Sequence, residues 1–103
     1  MIFHIADHDR WQESRGTGAY TASSRGLELA DQGFIHLCTA DQVSGVAARF
    51  YTDATNLVLL HIDEALLTAP LVYESVPGQP APFPHLFGPL NVDAVVNVEP
   101  FSP

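Results

Sequence analysis

The stretch DQGFIHLCTADQV, residues 31–43, holds the pattern that decides the fold, because a short apolar run passes directly into a helix-start signal. Residues 34–38, FIHLC, are apolar and partly aromatic or β-branched, which predicts a β-strand. Thr39 and Gln42, three residues later, form a capping-box pattern and predict a helix over about 40–51. The apolar residues of that helix recur at the i, i+3, i+4, i+7 and i+8 spacing of one helical face, at Val43, Val46, Ala47, Phe50 and Tyr51.

A strand and a second helix are predicted on the N-terminal side of this stretch. Residues 2–6, IFHIA, predict a short strand. Asp7 is placed to cap a mostly polar helix over residues 8–15, and Gly16 is expected to end it. Trp11 is the large apolar residue of that helix, so we expect it to anchor the helix to the core.

The C-terminal half is predicted to consist mainly of strands, at residues 56–63, 71–75 and 92–99. Between them, residues 77–89 contain five prolines, which predict a rigid, extended loop rather than a regular element. Strands outnumber helices and do not alternate with them. The predicted fold class is therefore α+β, in one domain over residues 1–103.

The composition excludes several classes of function. The chain has 103 residues, a formal net charge of −8, no lysine and four arginines. A protein with this negative charge repels the phosphate backbone of nucleic acids, so nucleic-acid binding is not expected. Without lysine the chain has neither a Walker-type phosphate loop nor a Schiff-base nucleophile. A small anionic ligand held by one or two arginines stays open.

The expected location follows from the cysteine count and the apolar runs. A single cysteine, Cys38, permits no internal disulfide, and residues 1–11 lack the basic flank of a signal peptide. No apolar run approaches the roughly 18 to 20 residues that span a bilayer. We therefore expect a cytoplasmic protein that does not enter the membrane, in which Cys38 is a buried, unreactive thiol.

Three of the five histidines lie where an imidazole needs a partner. His4 and His36 fall within predicted strands, and His85 falls in the proline-rich segment. Burying an imidazole without a partner costs about 1–3 kcal/mol, so each is expected to meet another histidine, a ligand, a metal or backbone carbonyls. Two alternatives stay open. One is three separately hydrogen-bonded core histidines, and the other is a three-histidine zinc site, for which no local H-x-H or H-x₃-H spacing is present.

The other titratable groups give weaker signals. His8 is expected to be solvated, and His61 is expected to have a structural role beside Asp63. Among the candidate carboxylates only Glu74, at the end of a predicted strand, is placed where it could point into a cleft.

Three stretches together resemble a known family. They are IFHIA at residues 2–6, GLELADQGFIHLCTADQV at residues 26–43 and FPHLFGPL at residues 83–90. These stretches resemble the small bacterial proteins grouped as domain of unknown function 952. By its fold that family is related to the ADP-ribosyltransferase superfamily, which includes the RNA 2′-phosphotransferases and the poly-ADP-ribose polymerases. The resemblance therefore implies a compact, ADP-ribosyltransferase-like split β-sheet with one or two packed helices.

The resemblance also implies a ligand and a set of site residues. His4 occupies the position of a first-strand histidine that contacts ribose, and His36 the position of the side chain that meets nicotinamide. His85 occupies the position of the catalytic glutamate of the polymerases, so the implied catalytic residues are His36 and His85. The implied substrate-binding residues are His4, Tyr20, Arg25, Thr39 and Arg49. The expected ligand is NAD, ADP-ribose or a related nucleotide, with no metal. Activity as an ADP-ribosyl or phosphoryl transferase is one reading, and a non-catalytic binding module that keeps the fold is the alternative.

Overall fold

The computed structural model describes residues 1–103 and shows an α+β fold. Three α-helices are present, namely α1 (His8–Thr17), α2 (Leu29–Gln32) and α3 (Val43–Phe50). Ten strands are present: β1 (Ile2–Asp7), β2 (Ala19–Tyr20), β3 (Ala22–Ser24), β4 (Leu27–Glu28), β5 (Ile35–His36), β6 (Leu57–Ile62), β7 (Leu71–Glu74), β8 (Phe83–Leu86), β9 (Leu90–Asn91) and β10 (Val95–Phe101). Short 3₁₀ turns cover Ala40–Gln42, Glu64–Leu66 and Val92–Ala94.

The main sheet is split into two antiparallel halves. The first half has the strand order β1-β6-β10 and the second has the order β5-β8-β7. A single bridge between Phe3 and Cys38 connects them, with backbone hydrogen bonds of 2.7 and 2.8 Å in the two directions. Two small pairs, β2 with β9 and β3 with β4, lie outside the halves.

Apolar side chains are buried on both faces of the first half-sheet. The larger core lies between the two half-sheets and is formed by Ile2, Ala6, Trp11, Tyr20, Ala22, Ile35, Leu37, Val58, Leu60, Ile62, Leu86, Leu90 and Ala94. The smaller core lies under α3 and is formed by Ile5, Ala47, Tyr51, Leu57 and Leu59. The period-two alternation of a strand produces this division, because successive residues of β1 and β6 point to opposite faces.

The N-terminal helix follows its sequence signals closely. The Asp7 carboxylate accepts a hydrogen bond of 3.0 Å from the backbone N–H of Arg10, as expected of a helix cap. Trp11 is 4% exposed and joins the larger core, which confirms it as the anchor. The helix ends at Thr17, because Gly18 and not Gly16 adopts the left-handed conformation, with φ of 87°.

The predicted helix after Thr39 is present, with two differences. The side chain of Gln42 accepts a 2.9 Å hydrogen bond from the backbone N–H of Thr39, but the first turn is a 3₁₀ turn and α3 begins at Val43. The prediction that Phe50 faces the core is wrong, since Phe50 is 59% exposed. Ala47 and Tyr51, one turn apart, are the residues of this segment that are buried.

The proline-rich segment was expected to be a loop over residues 77–89, and this prediction is wrong for its second half. Phe83–Leu86 form β8, the central strand of the second half-sheet. Proline is usually confined to edge strands, because it cannot donate to the ladder. Pro84 is tolerated because its carbonyl accepts a 3.1 Å hydrogen bond from Leu37, at the point where β5 ends. Only the donor half of one ladder position is lost.

The last predicted strand begins later than expected. Residues 92–94 form a 3₁₀ turn, and the strand runs from Val95 to Phe101. No helix of the protein is both long and apolar enough to cross a membrane.

Gly88 provides a test of the packing. A Cβ atom at this position would lie 2.7 Å from the Cβ atom of Ala69. We expect Gly88→Ala to reduce the free energy of unfolding by about 1–3 kcal/mol, as is typical of overpacking, measured by urea denaturation. Gly45→Ala is the matched control, because nothing lies within 4 Å of that position in α3, and it should stabilise by about 0.5–1 kcal/mol.

Removal of the clash should reverse the effect. In the Gly88→Ala background, Ala69→Gly should cost less than it costs in the wild type, because the two substitutions are coupled by the same contact. Equal stability of the Gly88→Ala variant and the wild type would contradict this packing.

Candidate functional site

The outward face of the second half-sheet holds two of the three histidines that the sequence singles out, His36 and His85. Ile35, Leu37 and Leu86 point into the larger core, so their neighbours along the chain point to the other side. Strand register and parity place seven residues together on this outer surface, which we call the imidazole face: Phe34, His36, Val72, Glu74, Phe83, His85 and Phe87.

His36 and His85 are direct partners across the antiparallel pair β5/β8. The hydrogen bond from Leu37 to Pro84 makes the adjacent position a hydrogen-bonded pair, so His36 and His85 form a non-hydrogen-bonded pair. Side chains approach each other most closely at such positions. The two ring centroids are 5.6 Å apart, with an angle of 74° between the ring planes.

The ring of Phe34 contacts both histidines of the pair and also Phe87. The ring of Phe34 stacks on His85, with centroids 4.1 Å apart and planes inclined by 23°. The same ring lies 4.7 Å from His36 and 5.4 Å from Phe87. The stacked contact covers a face of the His85 ring, whereas its nitrogen-bearing edge is left to other partners.

A carboxylate orients His85. Its Nδ1–H donates a 2.7 Å hydrogen bond to Oε1 of Glu74, which comes from the neighbouring strand β7. His85 is 6% exposed, and its Nε2 has no hydrogen-bond partner in the chain. Neither nitrogen of the half-buried His36 has such a partner, and burial, together with the adjacent His85, lowers the pKa of His36. The face therefore offers imidazole nitrogens that can accept hydrogen bonds, and one of these rings, that of His85, is hydrogen-bonded to a carboxylate through its other nitrogen.

His4 lies behind the face and is bonded entirely within the protein. It is 2% exposed, and its Nδ1–H donates a 2.7 Å hydrogen bond to the backbone carbonyl of His36. Its Nε2 must then be the acceptor of the 2.9 Å bond from the hydroxyl of Tyr20. Burial lowers the pKa of His4 to about 4, so the ring is neutral at pH 7. A three-histidine metal site is incompatible with this arrangement, because both His4 nitrogens are occupied.

The remaining predicted substrate-binding residues lie elsewhere. Tyr20 and Arg25 line a separate cleft of about 510 Å³ on the other side of His4. There the guanidinium of Arg25 makes a 2.5 Å ion pair with Asp53. Thr39 begins the 3₁₀ turn before α3, and Arg49 lies on the exposed side of α3 with its guanidinium 5.5 Å from the ring centroid of Phe50. The structure thus brings together His36 and His85, with His4 behind them.

Five residues of the face were not among the predicted site residues: Phe34, Val72, Glu74, Phe83 and Phe87. The three phenylalanines could have been found from strand parity, since each lies two residues from a predicted site histidine. Glu74 was noted as the carboxylate placed to reach a cleft, but its contact with His85 depends on strand pairing across β7 and β8, which no local pattern encodes.

Two other titratable residues have structural surroundings. Cys38 is buried, and burial raises the pKa of its thiol to about 12, in agreement with an unreactive cysteine. His61 does not pair with Asp63 as expected. Its Nε2 lies 2.8 Å from Oε2 of Glu99, on the neighbouring strand β10.

Comparison with known proteins agrees with the likeness seen in the sequence. The model of a family described as "Protein of unknown function (DUF952)" matches residues 5–98. The crystal structure of protein CC0527 from Caulobacter crescentus is 32% identical and has a TM-score of 0.83, covering 95% of this chain and 82% of that one. The solution NMR structure of CC0527 is 34% identical with a TM-score of 0.78, covering 98% of this chain and 84% of that one. No curated protein is significantly similar in sequence.

The buried His4 should make stability depend on pH. Its pKa is about 4 in the folded protein and near 6.5 when unfolded, so the unfolded chain binds the proton more tightly. Its contribution is complete above pH 6.5 and is lost as pH falls toward 4, by up to about 3 kcal/mol. Urea denaturation between pH 7.5 and pH 4.5 measures this loss.

His4→Gln separates this effect from the titration of the carboxylates. Glutamine keeps one donor and one acceptor but does not titrate in this range. The variant should therefore lose less stability than the wild type between pH 6.5 and pH 4.5. Identical pH slopes for the two proteins would show that His4 is not the group responsible.

Proposed function

The chain belongs to the DUF952 family, whose description assigns no activity, and we propose that it binds the nicotinamide–ribose part of NAD, or a related ADP-ribose nucleotide, at the imidazole face. One observation carries the proposal: His36 and His85 face each other across β5 and β8, and Glu74 holds one nitrogen of His85. The outward nitrogens of this pair have no partner in the chain, which is typical of groups that meet a ligand.

The face suits a flat heteroaromatic ring joined to a sugar. Phe34 and Phe87 offer aromatic surface beside the imidazoles, and such rings contribute about 0.5–1.5 kcal/mol per stacked or edge-on pair beyond the area buried. Nε2 of His85 is an acceptor for a ribose hydroxyl, because the bond to Glu74 fixes the proton on Nδ1. His36, with its lowered pKa, supplies a second neutral acceptor.

The same groups suit transfer of the ribosyl unit to an acceptor hydroxyl. The bond between C1′ and the nicotinamide nitrogen would break with its electron pair on nicotinamide, and the acceptor oxygen would bond to C1′. For this step the acceptor hydroxyl would replace the ribose hydroxyl at Nε2 of His85, which would take its proton, and the Glu74 carboxylate would stabilise the imidazolium that forms. His36 would hydrogen-bond the leaving group.

Two features support the proposed kinship with the ADP-ribosyltransferase fold. His4, His36 and His85 lie on three strands around the opening of a split sheet, in the chain order expected of that superfamily. In the polymerases a glutamate occupies the position that His85 has here. Glu74 places a carboxylate within hydrogen-bonding distance of that position.

The single free cysteine agrees with the proposed cytoplasmic location.

The alternative is a binding module without catalysis, and His4 is the residue that favours it. A first-strand histidine that binds ribose needs a free nitrogen, and both nitrogens of His4 are bonded to Tyr20 and His36. In addition, Arg10 and Arg25 are paired with carboxylates, so neither guanidinium is free to bind a phosphate. On this reading the face binds the ring, and no transfer follows.

Titration with NAD, ADP-ribose and nicotinamide, followed by the NMR signals of the imidazoles, tests the proposal. We expect saturable shifts of His36 and His85 with ligands that contain the nicotinamide ring, and no comparable shifts of His8 or His61. The buffer should contain a metal chelator, so that only the organic ligand is tested. Absence of any shift of His36 and His85 at millimolar ligand would refute nucleotide binding at this face.

The matched variants are His85→Gln and His61→Gln. Both residues are histidines bonded to a glutamate on a neighbouring strand, but only His85 lies on the imidazole face. His85→Gln should weaken binding at least tenfold, about 1.4 kcal/mol, whereas His61→Gln should leave it unchanged. Release of nicotinamide from NAD by the wild type, but not by His85→Gln, would separate the transferase from the non-catalytic module.

A further inference from the structure

The histidine pair on the imidazole face has the geometry of a metal-binding pair. We propose that His36 and His85 together bind a divalent transition-metal ion such as Zn²⁺ or Ni²⁺, through one imidazole nitrogen from each residue and without any nucleotide. Water completes the coordination, because the chain offers no third nitrogen or sulfur ligand at this face.

The distance between the rings is close to that required. Two imidazoles that bind one ion, each with a metal–nitrogen bond of about 2.0–2.1 Å, have ring centroids about 5 to 5.5 Å apart. The centroids of His36 and His85 are 5.6 Å apart, which is close to this range. Their position as a non-hydrogen-bonded cross-strand pair maintains this closeness without cost to the backbone ladder.

The nitrogens that the ion would use are not engaged in hydrogen bonds within the chain. A metal approaches an imidazole in the plane of its ring, and Phe34 stacks on the face of the His85 ring, with the two planes inclined by 23°. His36 has no hydrogen bond within the chain to break. The unbonded Nε2 of His85 is at the edge opposite the one bonded to Glu74.

Glu74 completes an arrangement common in metal sites. A histidine ligand usually donates its other N–H to a carboxylate or carbonyl, which fixes the tautomer and makes the ligating nitrogen more basic. The 2.7 Å bond from Nδ1 of His85 to Glu74 is such an interaction. The net charge of −8 adds a general attraction for cations.

The identity of the ligands determines which ions bind. Two imidazoles favour ions in the order Co²⁺ < Ni²⁺ < Cu²⁺ > Zn²⁺, and they have little affinity for Mg²⁺ or Ca²⁺, which prefer oxygen ligands. An excess of Mg²⁺ should therefore not displace Zn²⁺. Displacement by Mg²⁺ would show that carboxylate oxygens hold the ion, and would overturn the proposal.

The experiment is a titration of the full chain with zinc chloride in a buffer free of nucleotide and phosphate, followed by calorimetry and by the imidazole nitrogen signals in NMR. We expect one saturable equivalent, with shifts of His36 and His85 but not of His8 or His61. His36→Gln should abolish the binding of this equivalent of Zn²⁺, and Glu74→Gln should reduce its affinity 10- to 100-fold. His61→Gln should leave it unchanged, although it too removes a histidine bonded to a glutamate.

The key variant is His36→Gln, because the His36 side chain makes no hydrogen bond in the chain and its loss should leave the fold intact. Folded His36→Gln protein that binds Zn²⁺ as tightly as the wild type would overturn the proposal. Loss of Zn²⁺ binding in His61→Gln would overturn it as well. The result is independent of the proposed nucleotide function, because the metal titration contains no nucleotide and the nucleotide titration contains a chelator.

Discussion

The hydrogen bond from His4 to the backbone carbonyl of His36 is the contact on which the arrangement of the two half-sheets depends. Phe3 and Cys38 form the last backbone pair between them. In a continuing antiparallel ladder the next hydrogen-bonded pair would be Ile5 and His36. The strands separate instead, and the carbonyl of His36 accepts from the His4 imidazole at 2.7 Å. A buried side chain thereby satisfies a backbone group that the opening of the sheet would otherwise leave without a partner.

This contact also explains why His4 and His36 have different roles although both lie on strands beside the opening. His4 is neutral, buried and bonded at both nitrogens, so its chemistry is used within the fold. His36 contributes only its backbone carbonyl to that network, and its ring lies on the outer surface.

His85 and His61 also differ in role although their hydrogen bonds are alike. Each is bonded to a glutamate, but His61 packs edge-on against Phe3, whereas His85 faces a second imidazole. The neighbouring imidazole, rather than the carboxylate, distinguishes the candidate site.

Local signals in the sequence were sufficient for much of the fold. The cap at Asp7, the capping pattern of Thr39 and Gln42, and the apolar runs of β1 and β6 depend on residues close in the chain, and each is present. The failures depend on distant partners. Pro84 lies in a central strand because its missing donor coincides with the end of β5, and Phe50 is exposed because the side chains under α3 contact Ala47 and Tyr51 instead. For the site, strand parity separates His36 from Ile35 and Leu37, but it does not say which side is the core. The pairing of His36 with His85 and the contact of Glu74 with His85 depend on the register of three strands, β5, β8 and β7, and no short motif predicts that register.

Pro84 has a consequence for the precision of that register. It lies directly after Phe83 in β8, opposite Leu37, where its carbonyl still accepts and only the donor half of the pair is lost at the end of β5. A shift of β8 by one residue would turn its missing N–H toward β7, where the ladder needs a donor, and would turn His85 toward the core. Pro84 therefore favours the native register of β8 over the slipped one. Two side chains far apart in the chain are thus held opposite each other by a residue with no functional group of its own.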